Sequence, residues 1–257
     1  MELDGKIALV TGGAAGIGAG IAERLAAEGM DVVVADLDQE AGAATASRIG
    51  GSFVHADVAS TAGVRAAVDA ACRSSGRPSG RSPGRLGVLV ANAGGAGAPS
   101  FPAADPERWS HTLDLNLRAV MLATQLVLDP MAEAGGGAII TVASVAGLGT
   151  TSHDSPEYAA AKAGLMRFTA CLAPLRDSIG VRANCICPGL VDTPASRRSR
   201  AGLTPAQRDA LPPALAPADI AAAAMRFLAD DNLAGRIMVC RGGEPNRLLP
   251  LVDWQTA

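Results

Sequence analysis

Short apolar runs alternate with longer Ala-rich amphipathic stretches along the whole chain. The runs are Lys6–Thr11, Asp31–Asp36, Ser52–Val54, Gly87–Ala91, Ala138–Ser144, Val181–Ile186 and Arg236–Cys240. They are rich in Val and Ile and apolar on both faces, as in parallel strands covered on both sides. The stretches between them, Gly16–Glu28, Gln39–Arg48, Thr61–Arg73, Ser110–Ala134, Glu157–Ser178 and Pro217–Asp230, have helical length. This rhythm predicts an α/β fold: a doubly wound, parallel, seven-stranded sheet with helices on both faces. Ligands of such a sheet bind beyond the carboxyl ends of its strands. No repeat and no dividing linker interrupts the pattern, so residues 1–257 read as one domain.

Three segments fall outside the rhythm. Residues 74–85 read SSGRPSGRSPGR, the composition of a flexible surface insertion. Arg73, Arg77, Arg81 and Arg85 recur every four residues. The prolines and glycines among them favour a solvated linker over an anion-binding arm. Residues 194–216 read as a lid over the substrate. Its Arg197, Arg198 and Arg200 either draw an anion or form a solvated surface. The tail, 244–257, carries Leu248, Leu249, Leu251, Val252 and Trp254 and is too apolar to hang free. It is expected to pack on the subunit or on a neighbour.

Composition narrows the classes. Hydrophobic residues make up 49% and charged residues 18%, which excludes disorder as the overall state. A net charge of -3 argues against a nucleic-acid binder. No apolar run reaches the roughly 18 residues that span a bilayer, and with a polar start, Met1 to Gly5, leading into a strand-like run, no signal peptide is expected. The five cysteines, Cys72, Cys171, Cys185, Cys187 and Cys240, are odd in number and scattered. They form neither a disulfide framework nor a metal motif, and a reducing cytoplasm is the expected location. His55 and His111 lack metal-ligand spacing, so no metal site is expected.

The first strand runs into Gly12-Gly13-Ala14-Ala15-Gly16-Ile17-Gly18 and then a helix. Glycines let a backbone turn sharply and approach a pyrophosphate, and the helix start supplies amides and a positive dipole end. An ordinary tight turn also uses glycine; the position between first strand and helix favours the phosphate cradle. The second strand ends at Asp36, followed by Leu37. A carboxylate there accepts from both hydroxyls of an adenosine ribose and repels a 2′-phosphate. Gly13, Ala14, Ala15 and Leu37 offer no positive charge to pair such a phosphate, so NAD is expected over NADP. The alternative for Asp36 is a strand-end turn residue.

Tyr158 is the only tyrosine, and Lys162 is one of two lysines against twenty arginines. Their i, i+4 spacing on a predicted helix places both on one face. Lowering a phenol pKa by ~3 units takes about 4 kcal/mol. An ammonium at ~4 Å, at an effective dielectric near ~20, supplies roughly that. Guanidinium does not replace ammonium at a tight site, which gives the lysine weight in so arginine-rich a chain. Tyr158 thus reads as a general acid/base, against the alternative of a buried aromatic and a surface lysine. Ser144, at the end of the fifth strand, can bond a substrate oxygen or be a plain loop serine. Asn116, in a predicted helix, can hold a water or a carbonyl at a local irregularity, or be a polar helix position. His153 either touches substrate or faces water.

These residues together resemble the short-chain dehydrogenase/reductase family in its compact, single-domain, Rossmann-type form. The likeness runs from Gly5 to about Gly243. It rests on TGGAAGIG at 11–18, Asp57-Val58, Asn92-Ala93-Gly94, Asn116, Ser144, the Tyr158/Lys162 pair, and Pro188-Gly189 followed by Val191 and Thr193. The resemblance implies that Tyr158 is the acid/base and that Ser144 orients the substrate oxygen. Lys162 would hold the nicotinamide ribose, and Asn116 would complete a proton relay. Asp57 and Val58 would flank the adenine. Asn92, Ala93 and Gly94 would line the cofactor channel; Pro188, Gly189, Val191 and Thr193 would contact the nicotinamide half. It implies hydride transfer between NAD and a secondary alcohol or ketone, and a homotetramer or homodimer. The alternatives are a 3-oxoacyl thioester reductase, which shares every motif, and a non-catalytic NAD(H) sensor, which needs no acid/base.

Overall fold

The computed structural model describes residues 1–73, 85–149 and 152–251. Its strands are β1 (Ile7–Thr11), β2 (Asp31–Asp36), β3 (Ser52–His55), β4 (Leu86–Ala91), β5 (Gly137–Val142), β6 (Val181–Pro188), β7 (Ile237–Cys240) and β8 (Arg247–Leu248). They form one sheet in the order β3-β2-β1-β4-β5-β6-β7-β8. The first seven are parallel, and β8 pairs antiparallel with β7 through Met238↔Leu248 and Val239↔Arg247. The eighth strand corrects the expected count of seven. It is two residues long, too short to register as a periodic apolar run.

Both faces of the sheet are covered because successive side chains of each strand point to opposite sides. In β1, Ile7 and Leu9 enter one core with Val127, Met131 and Leu165. Ala8 and Val10 enter the other with Ile21, Leu25, Ile220 and Phe227. The first core lies under α3 (Thr61–Arg73), α5 (Ala119–Glu133) and α6 (Pro156–Cys171). The second lies under α1 (Gly16–Ala27), α2 (Gln39–Ile49) and α10 (Pro217–Ala229). Short helices α4 (Pro106–Leu113), α7 (Leu175–Ile179), α8 (Pro194–Arg200) and α9 (Pro205–Asp209) complete the set.

Several expected boundaries move, each for a local reason. The helix expected at Ser110–Ala134 is three pieces: α4, a π-helical turn at Asp114–Arg118, and α5. It starts earlier because Asp105 caps α4, accepting from the Arg108 amide at 2.8 Å ahead of Pro106. The helix expected at Glu157–Ser178 stops at Cys171 and restarts as α7 behind Pro174, which cannot continue a helix. β5 ends at Val142, two residues before Ser144, and β6 runs on to Pro188. In the expected lid, α8 and α9 replace open loop. Arg197 and Arg200 are not free: both bind the Asp192 carboxylate, at 2.7 and 2.9 Å. The insertion at 74–85, save Arg85, and the tail beyond Leu251, with Val252 and Trp254, lie outside the described residues. Within the described tail, Leu248 and Leu249 pack against the cores of their own subunit.

The strand order reverses between β1 and β4, which opens a crevice at their carboxyl ends. Asn92 ties its two lips together. Its Nδ2 donates to the Thr11 and Gly12 carbonyls at 3.1 and 2.9 Å, and its own N–H donates to Thr11 Oγ1 at 3.1 Å.

Candidate active site

On the β1 side of the crevice, the glycine loop turns through left-handed backbone at Gly12 (φ 64) and Gly16 (φ 57). A Cβ on Gly18 would stand 2.1 Å from the Gly12 carbonyl oxygen, so only glycine permits this turn. The start of α1 is bare. Its N-cap, Ala15, offers no side-chain acceptor, and the first turn holds no acid. By contrast α2, α4, α8 and α9 each have a capping oxygen. Unpartnered amides at a helix start suit an anion, so the loop fits a pyrophosphate. Ile17 is half-buried in the same turn, and Thr193 packs over Gly16, where a Cβ would meet Thr193 Cγ2 at 2.9 Å.

Asp36 stands at the end of β2 and binds the loop itself. Its Oδ2 accepts from the Ala14 amide at 2.9 Å, and its Oδ1 accepts from the Asp38 amide at 3.0 Å. Leu37 beside it is 59% exposed. Asp57 is exposed and accepts from the Ala59 amide at 3.0 Å, while Val58 is buried beside Ala93 and Leu115. At the far end, Pro188 and Val191 are buried. The Gly189 amide donates to the Cys240 carbonyl at 2.8 Å. The expected cofactor residues therefore follow the carboxyl ends of β1, β2, β3, β4 and β6 in turn.

The reacting groups gather at the carboxyl ends of β4 and β5. Lys162 lies one turn after Tyr158 on α6 and is 3% exposed. Its Nζ stands 5.6 Å from the Tyr158 ring centre and donates to the Val142 carbonyl at 2.9 Å. Asn116 is fully buried in the π-helical turn, the local irregularity expected for it. Its Nδ2 donates to the Thr112 and Gly95 carbonyls at 2.9 and 2.8 Å, and its Oδ1 accepts from the Gly95 amide at 3.0 Å. Gly94 packs between these two side chains. A Cβ there would stand 2.6 Å from Asn116 Oδ1 and 3.0 Å from Lys162 Nζ. Ser144 caps the short helical turn Val145–Gly147, its Oγ accepting from the Ala146 amide at 3.2 Å.

The electrostatics depart from expectation in one respect. Burial raises the Tyr158 phenol above its ordinary value, with a smaller rise from Cys187; the Ser144 hydroxyl pulls it the other way. Burial also lowers Lys162 to about 8. The ammonium does not by itself hold the phenol down, because the desolvation that weakens the lysine cation also disfavours the phenolate.

Three more groups stand near Tyr158, and of these the sequence points only to His153. His153 is exposed, its ring centre 6.0 Å from that of Tyr158, and its Nδ1 accepts from the Ser155 amide at 3.0 Å. Cys187 is fully buried close enough to influence both Tyr158 and Lys162. Glu157 is buried beside Tyr158, although Ser155-Pro156-Glu157 reads as an ordinary helix start with a solvated acid. Among the described residues, no His, Cys, Asp and Glu side chains group as metal ligands, and no helix is long and apolar enough to cross a membrane.

Known proteins resemble this chain in sequence and in fold. The short chain dehydrogenase family model matches residues 6–204. A D-threitol dehydrogenase of Mycolicibacterium smegmatis is 38% identical over 94% of this chain and 94% of its own. A 3-oxoacyl-[acyl-carrier-protein] reductase of Chlamydia muridarum is 34% identical over 73% of this chain and 75% of its own. A 7 alpha-hydroxysteroid dehydrogenase, solved with NADH and 7-oxo glycochenodeoxycholic acid, is 29% identical with a TM-score of 0.82. That likeness covers 94% of this chain and 95% of the other. The chain belongs to the short-chain dehydrogenase/reductase family, whose members are oxidoreductases using nicotinamide cofactors.

Proposed function

We propose that this family member is an NAD-dependent dehydrogenase or reductase acting on a secondary alcohol or ketone, with Tyr158 as its general acid/base. The observation that carries the reading is the convergence of Asn116 and Lys162 on Gly94, with Tyr158 one turn before Lys162. When bound, the cofactor supplies the hydride acceptor or donor. The chain's own residues do the rest.

The raised Tyr158 phenol keeps its proton at neutral pH and is equipped to give it to a carbonyl oxygen. Working from the alcohol, the phenolate must form, and the Lys162 ammonium 5.6 Å from the ring is the cation placed to favour it. Ser144 orients the substrate oxygen and stabilises charge developing on it. Lys162 would also hold the nicotinamide ribose. Asn116, fixed at Gly95 and Thr112, would complete a proton relay through water.

The glycine loop at 12–18 and the bare start of α1 would hold the pyrophosphate; Asp57 and Val58 would hold the adenine. Asp36 favours NAD: a 2′-phosphate would be repelled by its carboxylate, and Ala14, Ala15 and Leu37 bring no cation. D-Threitol dehydrogenase and 7 alpha-hydroxysteroid dehydrogenase are both named for a hydroxyl-bearing carbon, which supports the same reaction class.

The test is absorbance at the NADH band over a panel of secondary alcohols, ketones and 3-oxoacyl thioesters, with each cofactor. Turnover of an alcohol or ketone with NAD(H), lost in Tyr158→Phe, is expected. Activity that survives Tyr158→Phe, or tighter binding of NADPH than NADH by fluorescence, overturns the respective assignment.

A further inference from the structure

The segment Gly94–Pro102 follows β4 beside the reacting groups, and side chains from two neighbouring elements and the π-helical turn hold it. Asn116 takes both backbone groups of Gly95. Arg108 Nη1 donates to the Ala98 carbonyl at 2.6 Å. The Phe101 amide donates to Glu157 Oε2 at 3.4 Å. Glu157 is the unexpected member. An acid in the first turn of a helix is served well by water and the helix dipole, yet Glu157 is only 8% exposed. A buried carboxylate is costly unless it is hydrogen-bonded. Burial pushes this one up, but hydrogen-bond donors around it, its own amide and the Phe101 amide among them, outweigh that and hold it below the usual range.

The surface so held is apolar. No charged residue occurs from Gly94 to Ala104. Ser100 Oγ is turned back to the Gly97 carbonyl at 3.2 Å. The Phe101 side chain is among the few large hydrophobic ones left exposed, at 58%. Its backbone is tied to the residue that immediately precedes Tyr158.

We propose that Glu157 is a positioning residue that pins Ser100–Phe101 to the start of α6, presenting the Phe101 ring at the mouth of the site as a platform for an apolar, ring-bearing substrate. The inference rests on the reading of Tyr158 as the acid/base, and it assigns the substrate class: an alcohol or ketone on a ring-sized hydrocarbon body rather than an open-chain polyol. A polyol would need polar side chains, and from Gly94 to Ala104 the segment offers only the Ser100 hydroxyl, which is turned to the Gly97 carbonyl.

The test compares wild type with Glu157→Ala, Glu157→Gln and Phe101→Ala, using 1-phenylethanol and 2,3-butanediol as probes. Wild type is expected to favour 1-phenylethanol. Both Ala variants should lower that preference about tenfold or more through KM, with kcat within about threefold, since lost uniform binding appears in KM. Glu157→Gln, which keeps one acceptor oxygen, should fall between. Independently of turnover, hydrogen exchange at the Phe101 amide should quicken about tenfold in Glu157→Ala, because a pinned amide exchanges only on local opening.

Unchanged exchange at Phe101, or equal losses on both alcohols carried by kcat, overturns the proposal. If Glu157→Ala fails to fold, Glu157→Gln and Phe101→Ala decide it. A wild-type protein that turns over no alcohol or ketone with either cofactor overturns the oxidoreductase reading, and the recognition role with it. The exchange measurement then still decides whether Glu157 pins the wall.

Discussion

Replacing Gly94 with alanine tests the site at its tightest point. Gly94 is not among the glycines in left-handed backbone, so alanine meets no torsional penalty there. The cost is contact alone. The added methyl would stand 2.6 Å from Asn116 Oδ1, closer than real Cβ contacts come, and 3.0 Å from Lys162 Nζ. Asn116 cannot yield freely, since it is fully buried with three hydrogen bonds between 2.8 and 3.0 Å. Overpacking of this kind costs about 1–3 kcal/mol, and a buried partner left unpaired costs about 1–3 kcal/mol. Taking about 2 kcal/mol, the melting temperature should fall by roughly 4–8 °C for a chain of this size. Catalysis should suffer more, because a misplacement near 1 Å costs about a hundredfold and this contact falls about 0.8 Å short of the 3.4 Å at which ordinary contact begins; a drop of roughly 10- to 100-fold in kcat is expected. Gly95 is the control. A Cβ there meets nothing within 4 Å, and Gly95→Ala should be neutral or stabilise by about 0.4–1 kcal/mol through the unfolded chain. The assay is NADH absorbance alongside a thermal melt of each variant. Wild-type kcat in Gly94→Ala, or equal losses in both variants, would refute the convergence of Asn116 and Lys162 on this residue.

Two further expectations follow from groups already described. Because Tyr158 is the only tyrosine, the ultraviolet phenolate band of the folded protein reports it alone. Burial raises its pKa, so the midpoint should lie above the ordinary value near ~10, and adding NAD, whose ring is cationic, should lower it. A midpoint below that value in the protein alone would contradict the burial argument. The sign for stability is the same: a raised folded pKa contributes stability present below the unfolded value and lost as pH climbs through the folded one. Away from the site, Arg182 is 5% exposed and donates to the Phe227, Leu228 and Asp230 carbonyls and to Asp231, which is itself 67% exposed. Arg182→Ala strands those carbonyls and should cost about 3 kcal/mol. Asp231→Ala removes a largely exposed carboxylate shared by Arg182 and the Met1 ammonium and should cost about 1 kcal/mol or less. Equal denaturant midpoint shifts for the two would refute this division.

How much of this was legible in the chain follows from the range of the forces involved. Burial on two faces is written locally, so β1 to β7 could be placed from their apolar runs, whereas the β1/β4 reversal that opens the crevice is a matter of strand order, which no local run carries. β8 could not, because two residues carry no period and its pairing with β7 is a tertiary event. The glycine loop was legible for a steric reason, since a Cβ at Gly18 would collide with its own turn. Tyr158 and Lys162 were legible because one helical turn fixes their common face. The Tyr158 pKa was not, because it depends on how deeply the fold buries the pair, and spacing says nothing of depth. Asn116 lies between these cases. Asp114-Leu115-Asn116-Leu117 reads as helix, and a π-helical turn differs from it by one carbonyl's choice of partner. The Asn116 side chain holds the turn in place: its Nδ2 donates to the Thr112 carbonyl one turn back and to the Gly95 carbonyl, twenty-one residues earlier. Glu157 carries the same logic further. Ser-Pro-Glu reads as a helix start, and the Phe101 amide that reaches Glu157 comes from the β4 side, 56 residues earlier. Residues whose role is set by a distant backbone group are therefore the ones that sequence patterns leave blank, and in this protein they cluster around the phenol.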